Sequence, residues 1–278
     1  MIKNSVNMKK YPKIALVLGS GGAKGFAHVG VLEALEKAGI KPDLIVGCSM
    51  GAIVGACYAM GVTPKSMKDY ILGLSRSDII DVKIPNRFGF VKGDRAEKVI
   101  RKFLDVQDKE PTFSDCKIPF ACACTDLLTG EPVDLKSGPL IPAVRASFSI
   151  PGVFVPVKIN ERHLWDGGIL RRVPTDLARK MGADIVIGVD CVGKTRKIGE
   201  EDLDSFSATI TRIFFVMDYA AGKEEISRAD VLVDIGLQEV DAIKMKNIDK
   251  SIVYAEKVMK KNIPQIKEKI KQWIENNN

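Results

Sequence analysis

The chain of 278 residues is 46% hydrophobic and 28% charged, which is enough apolar content for the core of one large domain or two small ones, and it reads as globular. Its 42 basic and 35 acidic residues leave a net charge of +7, an excess that favours anionic surfaces. With only 6% aromatic residues and no dense basic runs, the composition argues against a dedicated nucleic-acid binder.

Six cysteines in a chain of this length do not make a disulfide framework. Cys48, Cys57, Cys122, Cys124 and Cys191 stand in apolar stretches, as buried reduced thiols do. Cys122 and Cys124 share one face of a strand and are too close for zinc spacing. No metal and no cofactor is expected. The start, MIKNSVNMKKYPK, is basic with no apolar stretch behind it, so a cytoplasmic chain is expected rather than a secreted one.

The first apolar run, Ile14 to Leu18, ends at Gly19 and passes through a glycine-rich loop into FAHVGVLEALEKAG, which has helical spacing. Asp43 to Gly47 is the next strand and leads into a helix, Met50 to Met60, stopped by Gly61 and Pro64. Leu44 to Pro64 holds 21 residues without a formal charge, the length of a membrane span. Its four glycines, two cysteines and three alanines dilute the side chains that drive insertion, so a buried strand turning into a buried helix fits better. Two strand-to-helix units in succession point to a parallel sheet covered by helices.

A helix to about Leu74 precedes a loose stretch, Ile79 to Val91, with the scattered apolar groups of a lid. The spacing then gives a helix near Ala96 to Leu104, a strand at Ile118 to Cys124, a turn at Leu128 to Glu131 and a helix ending near Ser147. A strand pair around Val153 to Trp165, a helix from Pro174 to Met181 and a strand in ADIVIGVD follow. FSATITRIFFVMDYAAG is a strongly apolar helix, read mainly as buried core and otherwise as an acyl-chain wall or lid; ADVLVDI is the last strand, and two helices finish the chain. The expected division is residues 12–235 as one α/β domain and 236–278 as C-terminal helices packed on it. In KKNIPQIKEKIKQWI, Ile263, Ile266, Ile270, Trp273 and Ile274 share one face opposite lysines, fit for that packing or for an anionic bilayer.

Gly47-Cys48-Ser49-Met50-Gly51 has the G-x-S-x-G form of a nucleophile elbow. Side chains at Gly47 and Gly51 would crowd the turn, and the helix beyond Ser49 places free N–H groups beside it. The bland alternative is a serine capping a buried helix. The loop Gly19 to Gly25 fails both the dinucleotide and the Walker spacing. What it offers is unencumbered N–H groups for a developing oxyanion. Only His28 and His163 are available as a base. His28 suits a packed role, and His163 points away from Asp166 in a regular strand. That leaves a direct pair of Ser49 with Asp166 of the D-G-G turn, against the alternative of a plain hairpin turn.

Taken together, GSGGAKGFAHVGVLEAL, GCSMGA, ASFSIPGVFVPV and WDGGILRRVPTDLARKMGADIVIGVD resemble the patatin-like phospholipase family, in the stand-alone bacterial branch similar to the neuropathy target esterase catalytic domain. The likeness covers roughly residues 12 to 192. It implies a three-layer α/β/α fold with a mainly parallel sheet, Ser49 as nucleophile and Asp166 as its partner. It also implies an oxyanion hole from the backbone of Gly21, Gly22 and Ala23, with Lys24 where the family commonly has arginine. The implied activity is acyl-ester hydrolysis of the phospholipase A, lysophospholipase or esterase type. Expected partners are phospholipid, lysophospholipid or another acyl ester, with peripheral contact to an anionic membrane. The other function class is a non-catalytic lipid or acyl-chain binder on the same fold.

Overall fold

A computed structural model describes residues 11–74, 76–79, 93–106, 109–193, 198–203, 205–237 and 247–278. Its first half holds β1 (Ile14–Leu18), a 3-10 turn (Gly22–Ala27) running into α1 (His28–Lys37), β2 (Leu44–Cys48), α2 (Met50–Met60), α3 (Pro64–Leu72), α4 (Arg76–Ile79), α5 (Asp94–Phe103) and β3 (Phe120–Asp126). The second half holds β4 (Pro132–Leu135), α6 (Leu140–Ser147), β5 (Val157–Ile159), β6 (Arg162–Asp166), a 3-10 turn (Gly167–Ile169), α7 (Thr175–Lys180), β7 (Ile185–Asp190), α8 (Phe206–Ile226), β8 (Val231–Asp234) and α9 (Ile248–Asn277).

The strands form one sheet in the order β5-β6-β3-β2-β1-β7-β8, with β4 also on β3. β8, β7, β1, β2 and β3 run parallel, while β4 and β6 are antiparallel to β3 and β5 is antiparallel to β6. Helices cover both faces. Ile14, Leu16 and Leu18 of β1 pack with residues of α1, α2 and α9, whereas Ala15 and Val17 meet Leu177 and Ala178 of α7. Successive strand residues point to opposite faces, so burial on both requires an unbroken apolar run. The uncharged stretch from Leu44 is explained the same way: it is β2 and α2, nearly all buried. No helix among the described residues is long and apolar enough to cross a membrane.

The register around β3 sets the site. β4 lies along one edge of β3, pairing Cys122 through Thr125. On the other edge β2 pairs as far as Ala123, opposite Cys48. β6 takes over that same edge at Cys124, which pairs Asp166. Since β2 is parallel and β6 antiparallel to β3, the two run toward each other and meet end to end between Ala123 and Cys124.

Three sequence expectations change. The chain finishes in one helix, α9, of 30 residues with Pro264 inside it, not two. A proline removes one N–H and bends a helix without separating its halves when packing holds both. Here Ile252, Ala255, Met259 and Ile266 are buried, and Ile263, Ile270 and Trp273 pack beside them through the proline position. The turn at Leu128 to Glu131 is followed by a further strand, β4, whose half-exposed PVDL lacks a long alternation. The apolar helix α8 is not simply core: Phe206, Ile213, Val216 and Met217 are exposed. The stretch read as a lid lies, from residue 80 through 92, outside the described residues.

α9 crosses α1 at close range because Gly30 has no side chain; a Cβ there would lie 2.0 Å from the carbonyl oxygen of Ile252. Gly30→Ala is therefore expected to lower stability by about 1–3 kcal/mol through overpacking. Gly73→Ala, whose Cβ meets nothing nearer than 3.5 Å, serves as the near-neutral control, and denaturant unfolding of both variants checks the difference.

Candidate active site

Ser49 follows directly on β2 and precedes α2, with φ 55 and ψ −122. That backbone is strained for a residue with a Cβ and persists only where its surroundings enforce it. They do so here at close quarters. A Cβ on Gly51 would sit 2.1 Å from Leu18 O, and one on Gly47 would sit 2.4 Å from Ala52 Cα. Ser49 makes no side-chain capping bond to α2, which removes the helix-cap alternative. Its N–H donates instead to Ser147 Oγ at 3.1 Å, and Ser147 Oγ–H donates to Ala123 O at 2.7 Å.

The Ser49 hydroxyl donates to Asp166 Oδ2 at 2.7 Å. The other oxygen of Asp166, Oδ1, accepts from Gly168 N–H at 2.8 Å. The Asp166 backbone is pinned as well, with its N–H on Ser149 O and its carbonyl accepting from Thr125 Oγ1. Asp166-Gly167-Gly168 leads into a 3-10 turn rather than a hairpin. Burial pushes the Asp166 carboxyl up to about 7, against the opposing pull of the bonds from Ser49 and Gly168. Such a carboxylate is a far better proton acceptor than one in its ordinary range.

The glycine loop bridges the end of β1 and α1. A Cβ on Gly25 would lie 2.5 Å from Met50 Cβ, so the loop is pressed against the residue that follows Ser49. Gly22 adopts φ 52. Gly22 and Ala23 open the 3-10 turn, where backbone N–H groups have no internal acceptor. Lys24 differs: it is buried, and its N–H donates to Gly21 O at 3.1 Å, so its backbone donor is committed. His28 is buried and takes no part in the pair. Its Nε2–H donates to Gly19 O at 2.9 Å, and the Cys191 thiol lies 3.5 Å from Nδ1. Burial lowers its pKa to about 4, so the ring is neutral and ties down the loop. His163 lies on the face of β6 opposite Asp166, alternating with buried Leu164.

α8 and the segment after β6 border an open cavity of ≈ 300 Å³ lined by Thr125, Trp165, Ile169, Leu170, Phe214 and Met217, among others; Ser49 and Asp166 are not in its lining, and Phe214 joins it to Gly168. The lining is almost wholly apolar, as an alkyl chain requires. Sequence reasoning passed over one group here. Asp218, on α8, is fully buried and accepts from Ser20 Oγ of the glycine loop at 2.5 Å. The signal was present: it is the lone acid in RIFFVMDYAAG, and a charge inside an apolar helix needs a reason.

A family model described as patatin-like phospholipase matches residues 16–179. An uncharacterized NTE family protein of Mycobacterium tuberculosis is 38% identical over 184 residues, covering 66% of this chain and 50% of that protein. The human patatin-like phospholipase domain-containing protein 6 is 34% identical over 206 residues, covering 71% of this chain and 14% of that protein. The chain thus spans about half the length, or less, of these curated relatives. Among solved structures, that of VipD from Legionella pneumophila superposes with a TM-score of 0.60 at 14% identity, covering 92% of this chain and 67% of the other, a likeness of fold. With 16–179 matched and the four motif blocks in order on a mixed α/β sheet, this chain belongs to the patatin-like phospholipase family.

Proposed function

We propose that this chain is a serine acyl-ester hydrolase of lipids, of phospholipase A, lysophospholipase or esterase type, working through a Ser49–Asp166 dyad. One observation carries the reading: the 2.7 Å hydrogen bond from Ser49 Oγ, on a strained strand-to-helix corner, to a buried carboxylate. Membership of the family supports the substrate class.

In this scheme Ser49 Oγ attacks the ester carbonyl carbon while its proton passes to Asp166 Oδ2. The N–H groups of Gly22 and Ala23, with that of Gly21, hold the resulting oxyanion. Collapse breaks the ester C–O bond, the departing alcohol takes the proton from Asp166, and the acyl group stays on Ser49. Water then attacks the acyl carbon, giving a proton to Asp166, and the second collapse returns that proton to Ser49 Oγ as the fatty acid leaves. The scheme asks for no metal. A base near neutrality balances the two halves, since the same carboxyl must accept a proton and give it back.

The acyl chain has its natural place in the apolar cavity between α8 and the segment after Asp166. Of its lining, Leu127 is 39%, Ile213 48% and Met217 49% exposed. Together with the net charge of +7, this apolar rim supports peripheral contact with an anionic bilayer from which lipid is drawn.

Three outcomes test the reading. Hydrolysis of p-nitrophenyl esters of graded chain length is expected to fall by at least on the order of 10⁴-fold in Ser49→Ala. For Asp166→Asn the expected loss is on the order of 10³–10⁴-fold; normal turnover in either folded variant sinks the dyad. The rate constant kcat/KM should rise with pH through about 7, where Asp166 loses its proton. The raised carboxyl also carries a stability cost. Between its unfolded value and about 7 the native state holds a proton that the unfolded state has released, so stability falls as pH climbs through that window. Asp166→Asn is therefore expected to be more stable than wild type at pH 8, with the gap closing toward pH 4, as thermal unfolding across pH would read out.

A further inference from the structure

The Ser49–Asp166 scheme leaves a second buried acid unused beside the dyad. Asp218 Oδ1 accepts from Ser20 Oγ at 2.5 Å, while Oδ2 is buried with no hydrogen-bond partner among the described residues. Gly168 separates the two acids. A Cβ there would lie 2.5 Å from Asp218 Oδ1 and 3.1 Å from Asp166 Oδ1, so both carboxyls border one small space.

Two carboxyls buried side by side do not both ionise. Donors decide which one does. Asp166 receives two, the Ser49 hydroxyl and the Gly168 N–H; Asp218 receives one, from Ser20. The negative charge therefore belongs on Asp166 and the proton on Asp218. The other charged groups acting on Asp218 are Arg172, beyond the 3-10 turn after β6, and Asp190 at the end of β7. These two are joined to each other at 2.5 Å, so their effects on Asp218 oppose. Burial dominates and pushes Asp218 well above the ordinary carboxylate range.

We propose that Asp218 is a positioning residue of the site: as a neutral acid it anchors Ser20, and with it the start of the glycine loop, and it keeps the buried negative charge on Asp166. The proposal rests on the ester-hydrolase reading. Ser20 stands one residue before Gly21, and its N–H is held separately by Arg172 O at 2.9 Å. The side-chain bond to α8 thus fixes the rotation of the chain as it enters the loop. Deprotonation of Asp218 would place a second negative charge beside Asp166 and next to the loop that receives the oxyanion. The transition state gains negative charge there, so the rate should fall at alkaline pH.

The experiment is a pH–rate profile of kcat/KM from pH 5 to 10.5 on a soluble p-nitrophenyl ester, for wild type, Ser20→Ala and Asp218→Asn. Ser49→Ala serves as the inactive reference, and circular dichroism confirms the fold of each variant. Wild type should rise through the Asp166 step and fall at the alkaline end. Asp218→Asn, which cannot ionise, should keep the rise and lose the fall. Ser20→Ala removes a donor to the ionised acid, raises its pKa and moves the fall to higher pH. It should also lower kcat on the order of 10²-fold with little change in KM, as loss of loop alignment does. An alkaline limb that is absent from wild type, or unchanged in both variants, overturns the proposal while leaving the hydrolase reading intact. Wild type that hydrolyses no ester, and whose Ser49 a fluorophosphonate probe does not label, overturns the hydrolase reading first and the proposal with it. Should Asp218→Asn fail to fold, Ser20→Ala decides alone, since it leaves the acid in place.

Discussion

One edge of β3 carries two strands in tandem, and the candidate site is the gap between them. β2 climbs that edge as far as Ala123 and β6 descends it to Cys124, so the residue leaving one strand faces the last residue of the other. Ser49 and Asp166 are 117 positions apart in sequence yet 2.7 Å apart in space, and no loop has to be poised to bring them together. The backbone ladder does it. β4 on the opposite edge keeps β3 straight through the junction, and Thr125 of β3 holds the Asp166 carbonyl directly. A site built on strand register inherits the rigidity of the sheet rather than that of a loop.

The same burial that gives Asp166 its altered basicity works against the fold. Desolvated acids at Asp166, Asp218 and Glu225 all have raised pKa values, and each is a place where apolar packing would serve stability better. Arg172, with its guanidinium over Tyr219, is neutralised by Asp190, so it relieves little of that cost. The large apolar core on both faces of β1 offsets these costs, which is the usual relation between a functional site and the scaffold beneath it.

Much of this was legible in the sequence because the relevant constraints are local. Ile14 to Leu18 and Leu44 to Cys48 read as strands since two-sided burial tolerates no polar residue. Gly47 and Gly51 flag the sharp corner at Ser49 since nothing larger fits. What the sequence hid is non-local. β4 is a strand only because β3 offers it an edge, and its four residues carry too little pattern to announce that. The expectation of two final helices gives way to one, since packing on the core carries the helix through Pro264. The apolar composition of α8 suggested a helix inside the protein; its sequence has no polar stripe to reveal that one side lines a cavity and another faces out. Asp218 was visible as an oddity, and only the fold supplies its partner, Ser20, 198 positions away.

The match to the family model ends at residue 179, before β7, α8, β8 and α9. It contains both members of the dyad and the entire glycine loop. It contains neither Asp218, which grips Ser20, nor α9, which packs along α1 and the 3-10 turn Gly22–Ala27 that forms the second part of the loop. The strands that bring Ser49 and Asp166 together, β2, β3 and β6, lie inside the matched region, while part of the backing of the glycine loop comes from beyond it. A fragment trimmed at residue 179 would keep the sheet junction at Ser49 and Asp166 and lose the grip of Asp218 on Ser20.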